Sequence, residues 1–443
     1  MAVWLAVLSI LSYAGAADPA TRPALRYVDY RHGFSLSPPL GAQRLRAPSP
    51  SRLVSWRMRD AETNAIRWTL SVHRAVEGEP VVDLAAHAKL LAARLKRGEN
   101  FDVKAAEVVD HRDGKAIELR GVSPGRARFY QRQLWVPADK RRFIFLKLTG
   151  PAGQREVLNG VFDAVAATFE VVDPATAAQQ RQARLDRGRT LLDKLDTERV
   201  LTAVHAEPRW FLMRRGDAAV GFLRIVEETE TRGGVRGVHI ETWAYVRVAE
   251  RPPRRVRREL FAAADRSAEK WIERAWVGRD DGRPRRAYAI SATMADDIIA
   301  CTVTRHGDRG PQSKRVEREI PPGNVGLYLP QAFVELLPRL VERDAPVAWA
   351  LATYNAAANG FDMHTFAVAG PDDIEIDGEM VTATRCMEQR AADRTGATVW
   401  LDETGLPLRI VDAGGLITEA TDKASVLKAF GRAERIVAEM GGD

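Results

Sequence analysis

From Pro208 onward the chain is a succession of strand-like runs broken by short turn signals: Arg215-Gly216-Asp217, Gly233-Gly234, Asp281-Gly282, Gly307-Asp308, Asp377-Gly378 and Gly414-Gly415. Glycine and aspartate tolerate the positive φ that tight hairpin turns need. Strands joined by so few residues pair antiparallel, because a parallel crossover takes about a dozen residues or more. The pattern predicts one large antiparallel sheet that curls. A single clear helix interrupts it, around LPQAFVELLPRLVER.

The first part of the chain reads differently. In AIRWTLSVHRAV, Trp68, Leu70 and Val72 alternate with Arg67, Thr69, Ser71 and His73, the period of a half-buried strand. Leu84, Ala88, Leu91 and Leu95 then follow at helical spacing, with Asp83 placed to cap the helix and Gly98 to stop it. Four further strands are predicted in VKAAEVVDH, KAIELRGV, ARFYQRQLWVP and RRFIFLKLTG, the first two joined across Asp113-Gly114. A second amphipathic helix with Leu158, Val161, Phe162 and Val165 on one face closes the region. Pro174 suits the first position of a helix, and the stretch after it is rich in helix formers. Leu185, Leu192 and Leu195 share a face there, while Gly188 breaks any heptad run, so a docked linker helix is predicted rather than a coiled coil.

The order of elements in residues 27–172, with the opening YVDYRHGFSLSPP and the closing FIFLKLTGPAGQREVLNGVFDAVAATFEV, resembles the PsbP-like family. That resemblance implies an antiparallel sheet between helices and a non-catalytic accessory or binding module; the family spans photosystem lumenal subunits and bacterial envelope proteins. The C-terminal layout, with VWLDETGLPLRIVDAGGLITEAT and its Asp402, Gly405 and Pro407 connection, resembles the LolA-like half-barrels. Those imply a curved sheet wrapped around a helix, with room for an apolar cavity that in some members carries lipid or lipoprotein.

The run MAVWLAVLSILSYAGA holds no charge and ends on Ala14-Gly15-Ala16, which reads as a secretory signal peptide over residues 1–16, although no Lys or Arg precedes the apolar run. It is shorter than the roughly 20 residues of a membrane span, so the mature chain is expected to be soluble, without a transmembrane segment, and periplasmic or extracellular. The formal charge of +7 lies in the first 173 residues, interspersed with acids; it permits docking to an anionic surface, while export argues against nucleic acid. Of the two cysteines, Cys301 and Cys386, both in strand-like runs, an oxidising compartment allows a disulfide; two buried thiols explain them equally well.

Motifs for chemistry fail on their own mechanics. Gly121-Val-Ser123-Pro124-Gly125 mimics a nucleophile elbow, but Pro124 has no N–H for an oxyanion hole and the flanks are strands. Asp373-Ile-Glu375-Ile-Asp377-Gly378 mimics a calcium loop, yet Thr384 stands where its bidentate Glu belongs, so a hairpin tip is predicted. The acidic pairs Asp280-Asp281, Asp296-Asp297 and Asp372-Asp373 read as solvated turn or strand-start carboxylates. The eight histidines fall singly, without metal spacing, and no phosphate-cradling loop appears, so no cofactor and no metal is expected. The basic run Arg251-Pro-Pro-Arg254-Arg255-Val-Arg257-Arg258 offers an acidic-ligand site or a charged sheet edge. Trp349, Phe333 and Leu336 line a cavity under the half-barrel or form plain core.

The resulting expectation is an α+β protein. A signal peptide (1–16) precedes a PsbP-like α/β/α sandwich with an antiparallel sheet (17–173) and a helical linker (174–207). A large curved antiparallel half-barrel with one main helix (208–430) and a tail (431–443) follow. Its expected role is that of a non-enzymatic envelope protein binding a lipid, another apolar ligand or a protein partner. The alternatives are a hydrolase or hydrolase accessory with a site assembled from distant strands, and a structural subunit of an envelope complex.

Overall fold

The computed structural model describes residues 27–29, 32–39, 42–45, 51–60, 63, 65–98, 101–112, 114–123, 128–247, 252–278, 284–307, 310–390, 396–412 and 415–441. The signal-peptide run, Asp113, Pro124-Gly125, Arg251, Asp280-Asp281-Gly282, Asp308 and Gly414 lie outside them. The chain divides into two compact units, with the boundary after Arg181.

The first unit runs β1 (Tyr27–Asp29), β2 (Phe34–Leu36), β3 (Gln43–Leu45), β4 (Arg52–Arg59), β5 (Ile66–Val76), α1 (Leu84–Gly98), β6 (Asp102–His111), β7 (Gly114–Ser123), β8 (Phe129–Pro137), β9 (Arg142–Pro151), α2 (Arg155–Ala166) and β10 (Glu170–Val171). The cap predicted for α1 is in place, Asp83 Oδ1 accepting the N–H groups of Ala85 at 2.8 Å and Ala86 at 3.1 Å. Seven antiparallel strands pair in the order β3-β4-β5-β9-β8-β7-β6, and β1, β2 and β10 form a separate small sheet. Period-two alternation divides the large sheet between two cores. Ile144, Leu146 and Leu148 pack with Leu158, Phe162 and Val165 of α2 on one face, whereas Trp135 and Phe143 pack with Ala88, Leu91 and Leu95 of α1 on the other. This is the antiparallel sheet between helices that the resemblance implies.

The boundary between units falls inside α3 (Pro174–Asp193). The second unit continues with α4 (Thr197–Thr202), β11 (Arg209–Arg215), β12 (Ala218–Arg232), β13 (Val235–Val246), β14 (Arg254–Ala263), β15 (Ala268–Val277), β16 (Arg285–Ala295), β17 (Ile298–Gly307) and β18 (Gly310–Glu319). After α5 (Pro322–Val325) and α6 (Gln331–Leu340) come β19 (Val347–Asn355), β20 (Gly360–Ile376), β21 (Glu379–Arg390), β22 (Ala397–Leu401), β23 (Pro407–Asp412), β24 (Leu416–Thr421), α7 (Lys423–Ala429) and α8 (Ala433–Gly441). Among the described residues fourteen strands form one antiparallel sheet, β18-β17-β16-β15-β14-β13-β12-β11-β24-β23-β22-β21-β20-β19, which does not close into a barrel. Register shifts after Met213, Ala275, Val368 and Trp400 supply the local bends that let so wide a sheet curl. One face lies on α6, and its core gathers Phe211, Leu260, Trp271, Trp349, Phe366 and Val399 with Phe333 and Leu336.

The two sheet edges are protected in different ways. β18 is polar and largely exposed. β19 is covered: Leu329 N–H donates to the Ala352 carbonyl and Ala352 N–H to that of Leu327, both at 2.8 Å, and Arg187 of α3 reaches the Ala348 carbonyl at 2.9 Å. Gly188 is what lets α3 lie this close, since a Cβ there would sit 2.2 Å from the Ala350 oxygen.

Two expectations are corrected, and one open alternative is decided. β14 is paired on both sides, by β13 and β15, so its arginines do not mark an edge. The predicted tail contains α8, whose Ala433, Ile436 and Met440 are buried with Phe222, Trp243 and Trp276 on the sheet face opposite α6. Cys301 on β17 and Cys386 on β21 are free, buried thiols, and their strands are far apart in the sheet order, so the structure carries no bridge between them.

Candidate functional site

A helix buried on nearly every side must find partners for each polar group it carries. Every residue of α6 except Arg339 is buried, and the Arg339 side chain is only 8% exposed. Its polar residues Gln331, Glu335 and Arg339 recur every four positions and so form one stripe. That stripe meets charged groups of β11, β12, β14 and β15, giving a polar seam across the core in three clusters.

At the start of α6, Glu269 of β15 accepts the Tyr328 hydroxyl and, at 2.8 Å, the Gln331 N–H, while the Gln331 side chain donates to the Tyr354 carbonyl at 2.9 Å. Burial pushes the Glu269 carboxyl up to about 7, a rise these two hydrogen bonds only partly offset. In the middle, Arg258 of β14 pairs with Glu273 at 3.0 Å and with Glu335 at 3.8 Å, and Tyr288 donates to Glu273 at 2.6 Å. At the far end Arg339 grips Glu227 of β12 through both terminal nitrogens at 2.8 Å; Arg209 and, at 3.0 Å, the His205 N–H also bind this carboxylate. Burial would raise Glu227, but the two guanidiniums and the N–H hold it below the usual carboxylate range. Glu227, Glu273 and Glu335 balance Arg209, Arg258 and Arg339, so these paired groups are neutral overall when Glu269 keeps its proton.

The Arg339 end of the seam opens into a cavity of about 540 Å³, lined among others by Glu198, Arg199, Thr202, His205, Arg339 and Leu406. Asp196 caps α4 by accepting the Arg199 N–H at 2.8 Å, and the Arg199 guanidinium donates to the Leu340 carbonyl at 2.8 Å, so the wall is tied to the end of α6. The hydroxyls in this region serve the fold: Thr202 donates to Glu198 of its own helix at 2.7 Å and Thr404 to Asp402 at 2.8 Å.

The residues singled out in the sequence do not converge here. Alternation on β14 sends Arg255 and Arg257 to the face opposite α6, where Arg255 pairs with Glu439 at 2.6 Å and Arg257 with Glu241 and Glu259 at 3.1 Å. Arg258 belongs to the seam, and Arg254 shares its face by register. Phe333, Leu336 and Trp349 are 0%, 0% and 7% exposed and are core residues. Asp373 and Glu375 lie within β20, and Asp377-Gly378 forms a hairpin tip with φ of 51° and 86°. Thr382 donates to Asp373 at 2.6 Å across the hairpin, and Asp372 accepts the Trp400 indole N–H at 2.8 Å. Ser123 ends β7 and pairs with Phe129 of β8, a strand-to-strand link rather than an elbow. Asp296 and Asp297, at φ of 50° and 59°, form the turn between β16 and β17. Sequence reasoning missed the seam, whose signal was the i, i+4, i+8 spacing of Gln331, Glu335 and Arg339 inside an otherwise apolar helix.

No protein-family profile and no curated relative matches the sequence. Similar solved structures include the cyanobacterial PsbP protein CyanoP from Synechocystis sp. PCC 6803, at 18% identity, covering 35% of this chain and 98% of that one with a TM-score of 0.28. A β-barrel-like protein of the DUF1849 domain from Brucella abortus matches at 12% identity over 49% of this chain and 94% of its own, with a TM-score of 0.33. LpqN of Mycobacterium tuberculosis, described as involved in cell envelope biogenesis, matches at 14% identity over 34% and 87%, with a TM-score of 0.26.

Proposed function

We propose that this is an exported, non-enzymatic envelope protein that binds a partner protein chain through the cleft at the end of α6. The observation that carries the reading is the cleft itself, with the buried Arg209–Glu227–Arg339 cluster at its Arg339 end and walls of mixed character that include Glu198, Arg199 and Leu406. A wall that offers cations, a carboxylate and apolar surface together suits a peptide segment better than a lipid tail. Phe333, Leu336 and Trp349, which the sequence offers as cavity lining or plain core, pack in the core with α6, which favours the polar cleft over an apolar-ligand site. Export rests on the uncharged run that ends at Ala14-Gly15-Ala16.

Thr202→Trp would fill the cleft mouth, and Arg199→Glu would reverse the charge of its wall. Wild-type protein used as bait on envelope extracts is expected to retain a defined partner that both variants lose, with unchanged circular dichroism. Retention of the same partner by both variants overturns the cleft, and a co-purifying lipid in native mass spectra overturns the partner class. An exported form beginning near Ala17 is the expected result of N-terminal sequencing.

A further inference from the structure

Among the described residues one group of three metal-ligating side chains converges: Glu228, Glu230 and His239, with ligand atoms all within 4.8 Å of one another. The hairpin places them. Gly233 and Gly234 both take positive φ, 58° and 81°, as a two-residue turn that pairs Arg232 with Val235 and brings Glu228 opposite His239. Alternation then sets Glu228, Glu230, His239 and Glu241 on one face. His239 Nδ1 lies 2.7 Å from Glu228 Oε1 and 3.5 Å from Glu230 Oε2.

The imidazole is poorly served by these neighbours alone. Its side chain is nine-tenths buried, and Nε2 has no hydrogen-bond partner among the described residues, the nearest carboxylate being Glu241 at 4.0 Å. A neutral ring carries one N–H, which at Nδ1 serves one of two facing carboxylates and leaves Nε2 orphaned. A cation at Nδ1 resolves both ends: the Nδ1 lone pair and the two carboxylates bind the ion, and Nε2–H turns to Glu241 as an outer carboxylate, itself held by Arg257 at 3.1 Å. We propose that Glu228, Glu230 and His239 bind a divalent first-row transition-metal ion. One imidazole with two carboxylates suits zinc or its neighbours better than calcium or magnesium, and three protein ligands leave a position for water. The exposed Glu228 side chain closes on the ion by rotation. Arg232 is the competing cation, its Nε donating to Glu230 Oε2 at 2.7 Å.

The test is calorimetric titration of chelator-stripped mature protein with zinc, with cobalt absorption in the visible range as a second readout. One equivalent is expected for the wild type, weakened about tenfold or more in Glu228→Gln, Glu230→Gln and His239→Ala, and tightened in Arg232→Ala. Uptake unchanged in the three ligand variants overturns the site, as does a wild type with no saturable uptake. If His239→Ala does not fold, the two Gln variants at surface carboxylates decide.

Discussion

The two units solve the same problem, covering a wide antiparallel sheet, with different means. In the first, α1 and α2 take one face each of seven strands, and their buried faces, His87 apart, are apolar. In the second, one ten-residue helix sits under fourteen strands and is buried almost all round, so its polar residues are buried too and must be neutralised from the sheet. The difference teaches that the charge pattern of a buried helix follows from its packing. A helix with one exposed face can send its charges to water, whereas α6 needs Glu269, Arg258 and Glu227.

The comparison breaks most directly at the core. Phe333→Ala is expected to cost the second unit about 3–5 kcal/mol, and Phe162→Ala a like amount in the first; in urea unfolding each change should move one transition only, and a single shared shift would show that the units do not fold separately. Arg339→Met leaves Glu227 with Arg209 and one N–H, and should cost about 3 kcal/mol, whereas a neutral result would show the seam to be replaceable by apolar packing.

The pH response sharpens the contrast further. Glu269 titrates near 7 when folded against 4.5 when free, so the native state binds its proton more tightly. Its stabilising contribution is full below about pH 4.5 and is lost as pH rises through about 7, on the order of 3 kcal/mol in all. Glu269→Gln should flatten that slope between pH 5 and pH 8 in denaturation midpoints, relative to wild type. The smallest effect belongs to the opposite face, where the partly exposed Arg255–Glu439 pair holds α8; Arg255→Ala should cost under about 1 kcal/mol.

Much of this was legible in the residues. Leu84, Ala88, Leu91 and Leu95 with their Asp83 cap located α1, and alternation from Trp68 to Val72 located β5. The glycine pair at 233–234 even carries the His239 register, since a two-residue turn makes partners equidistant from it; spacing along the chain does not show the cluster, because His239 meets Glu228 and Glu230 across the hairpin. The arginines of β14 misled because density of charge along a sequence says nothing of faces, which alternate within the run.

What the sequence determined by itself was everything that propagates locally: the helix periods, the caps, the hairpins and their antiparallel order, because each depends on residues a few positions apart. Tertiary structure alone decided which sheet face closed on α6, and with it the pairing of Arg339 with Glu227 and Arg209, the burial of Cys301 and Cys386 as separate thiols, and the interior position of β14. Those depend on β11 finding β24 across the whole second unit, Trp210 opposite Thr421, a contact that no local pattern encodes because its free energy comes from the shared core rather than from either strand.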